Sequence, residues 1–275
     1  WLSIFHSIAA FNNAGFDALG GGQSLIPYRN DLLLNLVTDA LVIVGGIGFM
    51  VILDVGRCRG QFHRMTFHTK VVLSTTTVLL VGGAVLLQLT DHMGWLAALF
   101  QSMTARTAGF SSVDLGSMSN AGLLVIMILM FIGASPGSTG GGIKTTTFAL
   151  ILLNISQVVR GRSECEIFGR RVGDDTIFQA FAITSMSILW VVFATLLVTC
   201  LEDTSFLYAL FEVVSAFATV GLSTGLSQHI CTASKLILIL SMYAGRVGFM
   251  TFALALTAQK PEKHIHYPKE NIIIG

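Results

Sequence analysis

The chain has 275 residues, 53% of them apolar and only 11% charged, with a mean hydropathy of +0.76 and a formal net charge of +1. Soluble globular domains carry about 25% charged residues. This composition therefore excludes a disordered chain, a nucleic-acid binder and an ordinary soluble enzyme, and leaves an all-α polytopic membrane protein. Cys58, Cys165, Cys200 and Cys231 are scattered and form no CxxC pair, so neither a disulfide framework nor a zinc site is indicated.

The chain opens at Trp1 inside an apolar stretch with no basic leader, and the expectation is the downstream part of a longer protein rather than a signal peptide. Residues 1–16 hold an aromatic-led run, Phe5-His-Ser-Ile-Ala-Ala-Phe-Asn-Asn-Ala-Gly-Phe16, too short to cross a bilayer. A span over 31–53 follows, then a second over 71–89. Residues 95–110 repeat the short pattern as Phe100-Gln-Ser-Met-Thr-Ala-Arg-Thr-Ala-Gly-Phe110.

Region 121–159 is too long for one span, since that many helical residues would reach about 58 Å. Its centre, 133–142, reads Gly-Ala-Ser-Pro-Gly-Ser-Thr-Gly-Gly-Gly, which a helix does not accommodate. Two half-helices around an intramembrane loop are predicted, and irregular backbone at that depth must line a cavity or lie inside protein. A span over 177–201 follows. A third short stretch, 206–222, contains Phe211-Glu-Val-Val-Ser-Ala-Phe-Ala-Thr-Val-Gly-Leu222, and a last span covers 234–258.

Each short stretch sits between an outgoing and an incoming span. A short helix with an extended return fits each of them, giving repeated units of span, pore loop and span. Residues 1–56 form one unit entered at its pore helix, 65–159 and 172–258 form two complete ones, and 259–275 is a tail. Three copies do not close a ring comfortably. A pseudo-fourfold arrangement around a central pore is expected, with the first unit absent.

Rings of backbone carbonyls can replace the water around a cation. Glycine allows φ > 0, so successive carbonyls can face one axis. The candidate donors are Asn12, Asn13, Ala14 and Gly15; Arg106, Thr107, Ala108 and Gly109; and Ala218, Thr219, Val220 and Gly221. No other metal site and no resident cofactor is expected.

Eleven of the sixteen Lys and Arg residues fall on three segments: Arg57, Arg59, Arg64 and Lys70; Arg160, Arg162, Arg170 and Arg171; and Lys260, Lys263 and Lys269. These basic loops and the C-terminus are therefore expected to be cytoplasmic. They are also candidates to dock a partner or to meet anionic membrane lipid. Asp17, Asp91, Asp114, Glu202 and Asp203 mark the opposite side.

Arg246 falls near the middle of the 234–258 span, too deep to snorkel readily. It is either a fixed cation that forms a gate with the Gly-rich loop, at Gly137, Ser138, Thr139, Gly140, Gly141 and Gly142, or a structural arginine on helix carbonyls. Arg106 either pairs with Glu212 behind the donors, making Glu212 a support residue, or reaches outward to water. Asp39 and Lys144 are functional candidates or helix–helix hydrogen-bonders. The histidines cluster on the basic segments, as loop residues or weak metal ligands. A nucleophile-elbow reading of Ser135 lacks a triad context.

These motifs resemble the Trk/Ktr/HKT potassium transporters. The likeness rests on Ala-Ala-Phe into Asn-Asn-Ala-Gly-Phe, on Arg-Thr-Ala-Gly-Phe, on Ser135 through Thr147 and on Gly245-Arg-Val-Gly248. The tail and the short loops look most like the Ktr membrane subunit. The resemblance implies four units around one pore, potassium uptake at the cell membrane, a homodimer and a cytoplasmic nucleotide-binding regulatory ring. It also implies that glycine at every visible donor turn favours potassium. The alternatives are a sodium or mixed-cation carrier of the same superfamily, or, from another class, an inverted-repeat secondary transporter or a membrane enzyme.

Overall fold

A computed structural model describes residues 1–17, 19–162 and 165–248. Among these described residues ten α-helices run in order: α1 Leu2–Phe11, α2 Leu32–Ile47, α3 Phe49–Arg57, α4 Phe67–Asp91, α5 Trp95–Thr104, α6 Asn120–Phe131, α7 Thr145–Val159, α8 Asp174–Leu201, α9 Phe206–Phe217 and α10 Thr232–Val247. Local chemistry sets several starts. The side chains of Asp31, Thr66 and Ser119 accept from the backbone N–H groups of Leu34, Thr69 and Gly122, capping α2, α4 and α6.

Among the described residues, α4 and α8 are each long and apolar enough to cross a membrane, and α2 with α3 makes a third candidate if counted as one bent span. At 25 residues α4 reaches about 37 Å. Large apolar side chains stand exposed along both helices, among them Val78, Leu89, Leu189 and Val192. Outward apolar surface on this scale marks a face that meets lipid.

The short helices behave differently. From Phe211 to Phe217 every residue of α9 is buried, and from Phe100 to Thr104 every residue of α5 is. They form the centre around which the longer helices stand. The main core joins α4, α5, α6, α8, α9 and α10 through Leu87, Ala98, Ile126, Val198, Phe211 and Leu238. A second joins α1, α2 and α5 through Ala10, Val42, Phe100 and Phe110.

Two expectations need correction. The predicted span over 31–53 is not straight: it breaks at Gly48, and α3 leaves α2 at 97°. Gly48 has φ +96°, which a helix cannot contain. Second, α10 ends at Val247, and Gly248 with φ +92° follows. Arg246 thus occupies the last turn of a helix instead of the middle of one. Residues 249–258 of the predicted span and the tail over 259–275 lie outside the described residues. Among the described residues the fold is helical apart from one short hairpin. Glu166–Ile167 (β1) and Arg170–Arg171 (β2) pair antiparallel across Phe168 and Gly169, both at positive φ as a tight two-residue hairpin requires.

Candidate ion-coordinating site

Helices α1, α5 and α9 end shortly before Gly15, Gly109 and Gly221 and aim their negative C-terminal ends toward the turns that follow. The three turns share one backbone signature. Each glycine has positive φ, at +63°, +83° and +92°. Two residues earlier, Asn13, Thr107 and Thr219 also have positive φ, at 51°, 87° and 53°. Asparagine tolerates this region, but for a β-branched threonine it is a genuine outlier. Strain of this kind gathers at functional sites.

The turns return on their own helices. Ala14 and Val220 donate to the carbonyls of Ala9 and Ser215, and both Ala108 and Gly109 donate to Thr104. They also meet one another. A methyl group on Gly15 would overlap the carbonyl oxygen of Ala108, and one on Gly109 would overlap that of Val220. One built on Gly221 meets nothing within 4 Å. The expected donors Ala14, Gly15, Ala108, Gly109, Val220 and Gly221 thus lie on turns packed side by side. Asn12, Arg106 and Ala218 lie two residues before Ala14, Ala108 and Val220, and the Asn12 amide donates to the carbonyl of Ile8 at 2.9 Å.

The Gly-rich loop between α6 and α7 lies against all three turns. The Asn13 amide donates to the Thr139 hydroxyl at 2.9 Å. A methyl on Gly140 would overlap the Thr107 hydroxyl, and one on Gly141 the Thr219 hydroxyl. Three consecutive loop residues therefore face the same position in three successive turns. Gly142 has φ +69° and packs on Ala218, while Gly137 has φ +70° and lies against the Phe49 ring.

The loop is also stitched to the end of α2. Helix termini leave carbonyls without partners. Here the Gly46 carbonyl accepts from Ser135 N–H at 3.1 Å and the Gly45 carbonyl from Thr139 N–H at 3.4 Å, while Gly137 accepts from Phe49 N–H at 3.2 Å. Ser138 closes the loop on itself, its hydroxyl donating to the Ser135 carbonyl at 2.6 Å. Two cations bind neighbouring loop carbonyls. Lys144 Nζ donates to Gly140 at 2.7 Å, and the exposed Arg246 guanidinium donates to Thr139. The carbonyl that Arg246 holds belongs to the loop and not to a helix.

The Arg106–Glu212 pair is not formed. Glu212 instead accepts from the Ser223 hydroxyl at 2.6 Å, from Thr224 N–H at 3.0 Å and from the Thr224 hydroxyl at 3.3 Å, holding the segment that leaves Gly221. A carboxylate with three short-range donors on its own turn has no need of a distant arginine. Arg106 does not extend into bulk solvent either, being 7% exposed.

Sequence reasoning missed the break at Gly48 and its counterpart. Gly45 would overlap the Phe11 carbonyl if it carried a methyl, and Gly245 the Phe217 carbonyl. The two helix ends are thus equivalent, and Arg246 takes the place of Gly46. A signal was present: Gly45-Gly-Ile-Gly-Phe-Met50 and Gly245-Arg-Val-Gly-Phe-Met250 share four residues in register. Among the described residues no group of three or more His, Cys, Asp or Glu side chains could hold a metal ion. What the turns offer is backbone oxygen.

Residues 1–266 match the family model described as TrkH, cation transport protein. The chain is 41% identical to the Ktr system potassium uptake protein B of Vibrio alginolyticus, over all of this chain and 63% of that protein. It is 38% identical to the potassium/sodium uptake protein NtpJ of Enterococcus hirae, over all of this chain and 64% of that one. The chain therefore spans just under two thirds of the length of these curated relatives. In structure it is similar to the potassium transporter TrkH from Vibrio parahaemolyticus, with a TM-score of 0.75 and 21% identity, covering 93% of this chain and 58% of that one.

Proposed function

This chain belongs to the TrkH family of cation transport proteins, whose matching members are transporters and not enzymes, and from that membership we propose that it forms most of the potassium-conducting pore of a Ktr-type uptake transporter. The three Gly-ended turns are its pore loops. Units 1–56, 65–159 and 172–258 stand in a pseudo-fourfold ring. A fourth turn, beyond the three among the described residues, fills the open side of Gly221. The transporter is a multi-pass protein of the cell membrane with its basic loops and C-terminus in the cytoplasm. It works as a homodimer with a nucleotide-binding regulatory ring beneath it.

One observation carries this reading: three turns with the same pair of positive-φ residues pack side by side over one Gly-rich loop. Carbonyls at Asn12–Gly15, at 106–109 and at 218–221 coordinate a dehydrated cation, helped by three helix C-termini. Directly below, Gly137, Ser138, Thr139, Gly140, Gly141 and Gly142 obstruct the path. Lys144 and Arg246 hold that obstruction in place by its own carbonyls. Glu212 supports the last turn from behind. The loop shuts the pore because its backbone fills the space beneath the coordinating turns, and opening requires the two cations to release it.

Isotopic potassium flux into liposomes carrying the full-length subunit, competed with sodium, tests the proposal. Flux that excess sodium leaves unchanged is expected. No flux of either cation would overturn the pore reading. Equal competition would favour the mixed-cation reading, which the likeness to the potassium/sodium uptake protein of Enterococcus hirae motivates.

A further inference from the structure

Arg106 brings a cation into the seam between α2, α4 and the second turn. It is 7% exposed and its Nε has no hydrogen-bond partner. No ion pair joins it to Glu212 or to Asp39, the two buried acids among the described residues. Burying a cation without a partner is strongly unfavourable. Across the seam, Thr76 of α4 is also 7% exposed, and its hydroxyl has no partner. That is unusual, because a helical threonine can bond the carbonyl one turn back, as Thr77 and Thr195 do.

Both side chains line one small cavity, together with Gly46, Met103 and Ala134. Its volume is about 20 Å³. A single water needs roughly 10–15 Å³ of such space and two to four polar partners. The cavity is too small for a hydrated ion or a phosphate. We propose that it is a binding site for one ordered water, which accepts from the Arg106 guanidinium and hydrogen-bonds the Thr76 hydroxyl, tying the second turn to α4. The tether acts on the residue immediately before Thr107, whose strained backbone faces the Gly-rich loop. Thr76 is then a positioning residue for the Arg106–Gly109 carbonyls, although it touches no ion. Its effect on transport rests on the pore reading above; the water site itself does not.

Two measurements test this. An experimental density map of the full-length transporter, fine enough to resolve waters, is expected to show a peak within about 3.2 Å of both Arg106 and Thr76. No peak beside two ordered side chains overturns the site. A bromide anomalous signal there overturns water in favour of an anion. In liposomes, Thr76→Val removes the hydroxyl and keeps the shape, and is expected to lower potassium-over-sodium selectivity about tenfold, the usual scale for a buried polar group left unsatisfied. Thr76→Ser retains the hydroxyl and is expected to behave as wild type. Wild-type selectivity in Thr76→Val overturns the tether. If Thr76→Val does not assemble, the map on the unmutated protein decides alone. Absence of flux in the unmutated protein would count against the pore reading and not against the water.

Discussion

The Asn13 amide donates to the Thr139 hydroxyl at 2.9 Å, joining the first Gly-ended turn to the Gly-rich loop. Thr139 is the busiest residue of that loop. Its hydroxyl also donates to the Gly45 carbonyl at 3.2 Å, and its own carbonyl accepts from Arg246. Turn, loop and two helix ends therefore meet at one side chain and one peptide. Asn13→Gly keeps the positive φ of 51° and removes the amide, while Asn13→Ala removes the amide and adds about 1–2 kcal/mol of left-handed backbone strain. Both are expected to raise ion leak under conditions where the unmutated pore is shut. Only Asn13→Ala should also lower thermal stability appreciably. A tight pore in both variants would show that this bond does not restrain the loop.

Gly140 and Gly141 test the contact between loop and turns by volume. A methyl on either would overlap a threonine hydroxyl on the adjoining turn, and on Gly140 also the Ala134 side chain. Overpacking of this kind costs about 1–3 kcal/mol. Gly140→Ala and Gly141→Ala are each expected to lower thermal stability by that amount and to change flux. Gly56 lies in α3 at negative φ with nothing within 4 Å of a built methyl. Gly56→Ala is expected to be neutral or to stabilise by up to about 1 kcal/mol. Equal melting temperatures for all three variants would mean that the loop yields freely.

Much of this arrangement could be read from residue order, because hydropathy and glycine spacing are one-dimensional signals. Region 121–159 is two helices around 133–142, and α5 and α9 begin at Trp95 and Phe206, the residues that open their predicted stretches. What escaped depended on direction in space. Hydropathy runs unbroken through Gly48, so the 97° bend was hidden, although the matching hexapeptides around Gly45 and Gly245 carried it. Position in the short repeated stretches singled out Arg106 and Glu212, but position along the chain says nothing of where a side chain points. Glu212 turned to the segment after Gly221, and Arg106 to α4. Positive φ at Thr107 and Thr219 was unpredictable in principle, since threonine is among the residues least suited to it.

Arg246 and Lys144 hold the consecutive carbonyls of Thr139 and Gly140. Hydrogen bonds to charged groups are worth about 1.5–3 kcal/mol each. Removing either cation should therefore shift the loop toward release by roughly tenfold or more. Arg246→Ala and Lys144→Met are each expected to raise potassium flux, with the double variant above either. Arg246→Lys is expected to recover part of the closure, because an ammonium still donates to a carbonyl but lacks the reach of a guanidinium. Unchanged flux and gating in Arg246→Ala would remove Arg246 from the closing device.

Glu202 makes a prediction outside the ion path. It follows α8, and its carboxylate accepts from Cys231 N–H at 2.8 Å where α10 begins. Hydrogen bonds from Ser234, first, and then from Cys231 hold its pKa below the ordinary carboxylate value. A depressed folded pKa means that the ionised form binds the native state better, so unfolding takes up protons. The resulting stabilisation is complete above the unfolded value of about 4.3 and disappears as pH falls through the lower folded value. Glu202→Gln keeps an oxygen acceptor and removes the charge. It is expected to melt below the unmutated protein at neutral pH, with the difference shrinking as the solution is taken below about pH 4. A difference that stays constant over that range would mean that the link between α8 and α10 depends on shape and not on the carboxylate charge.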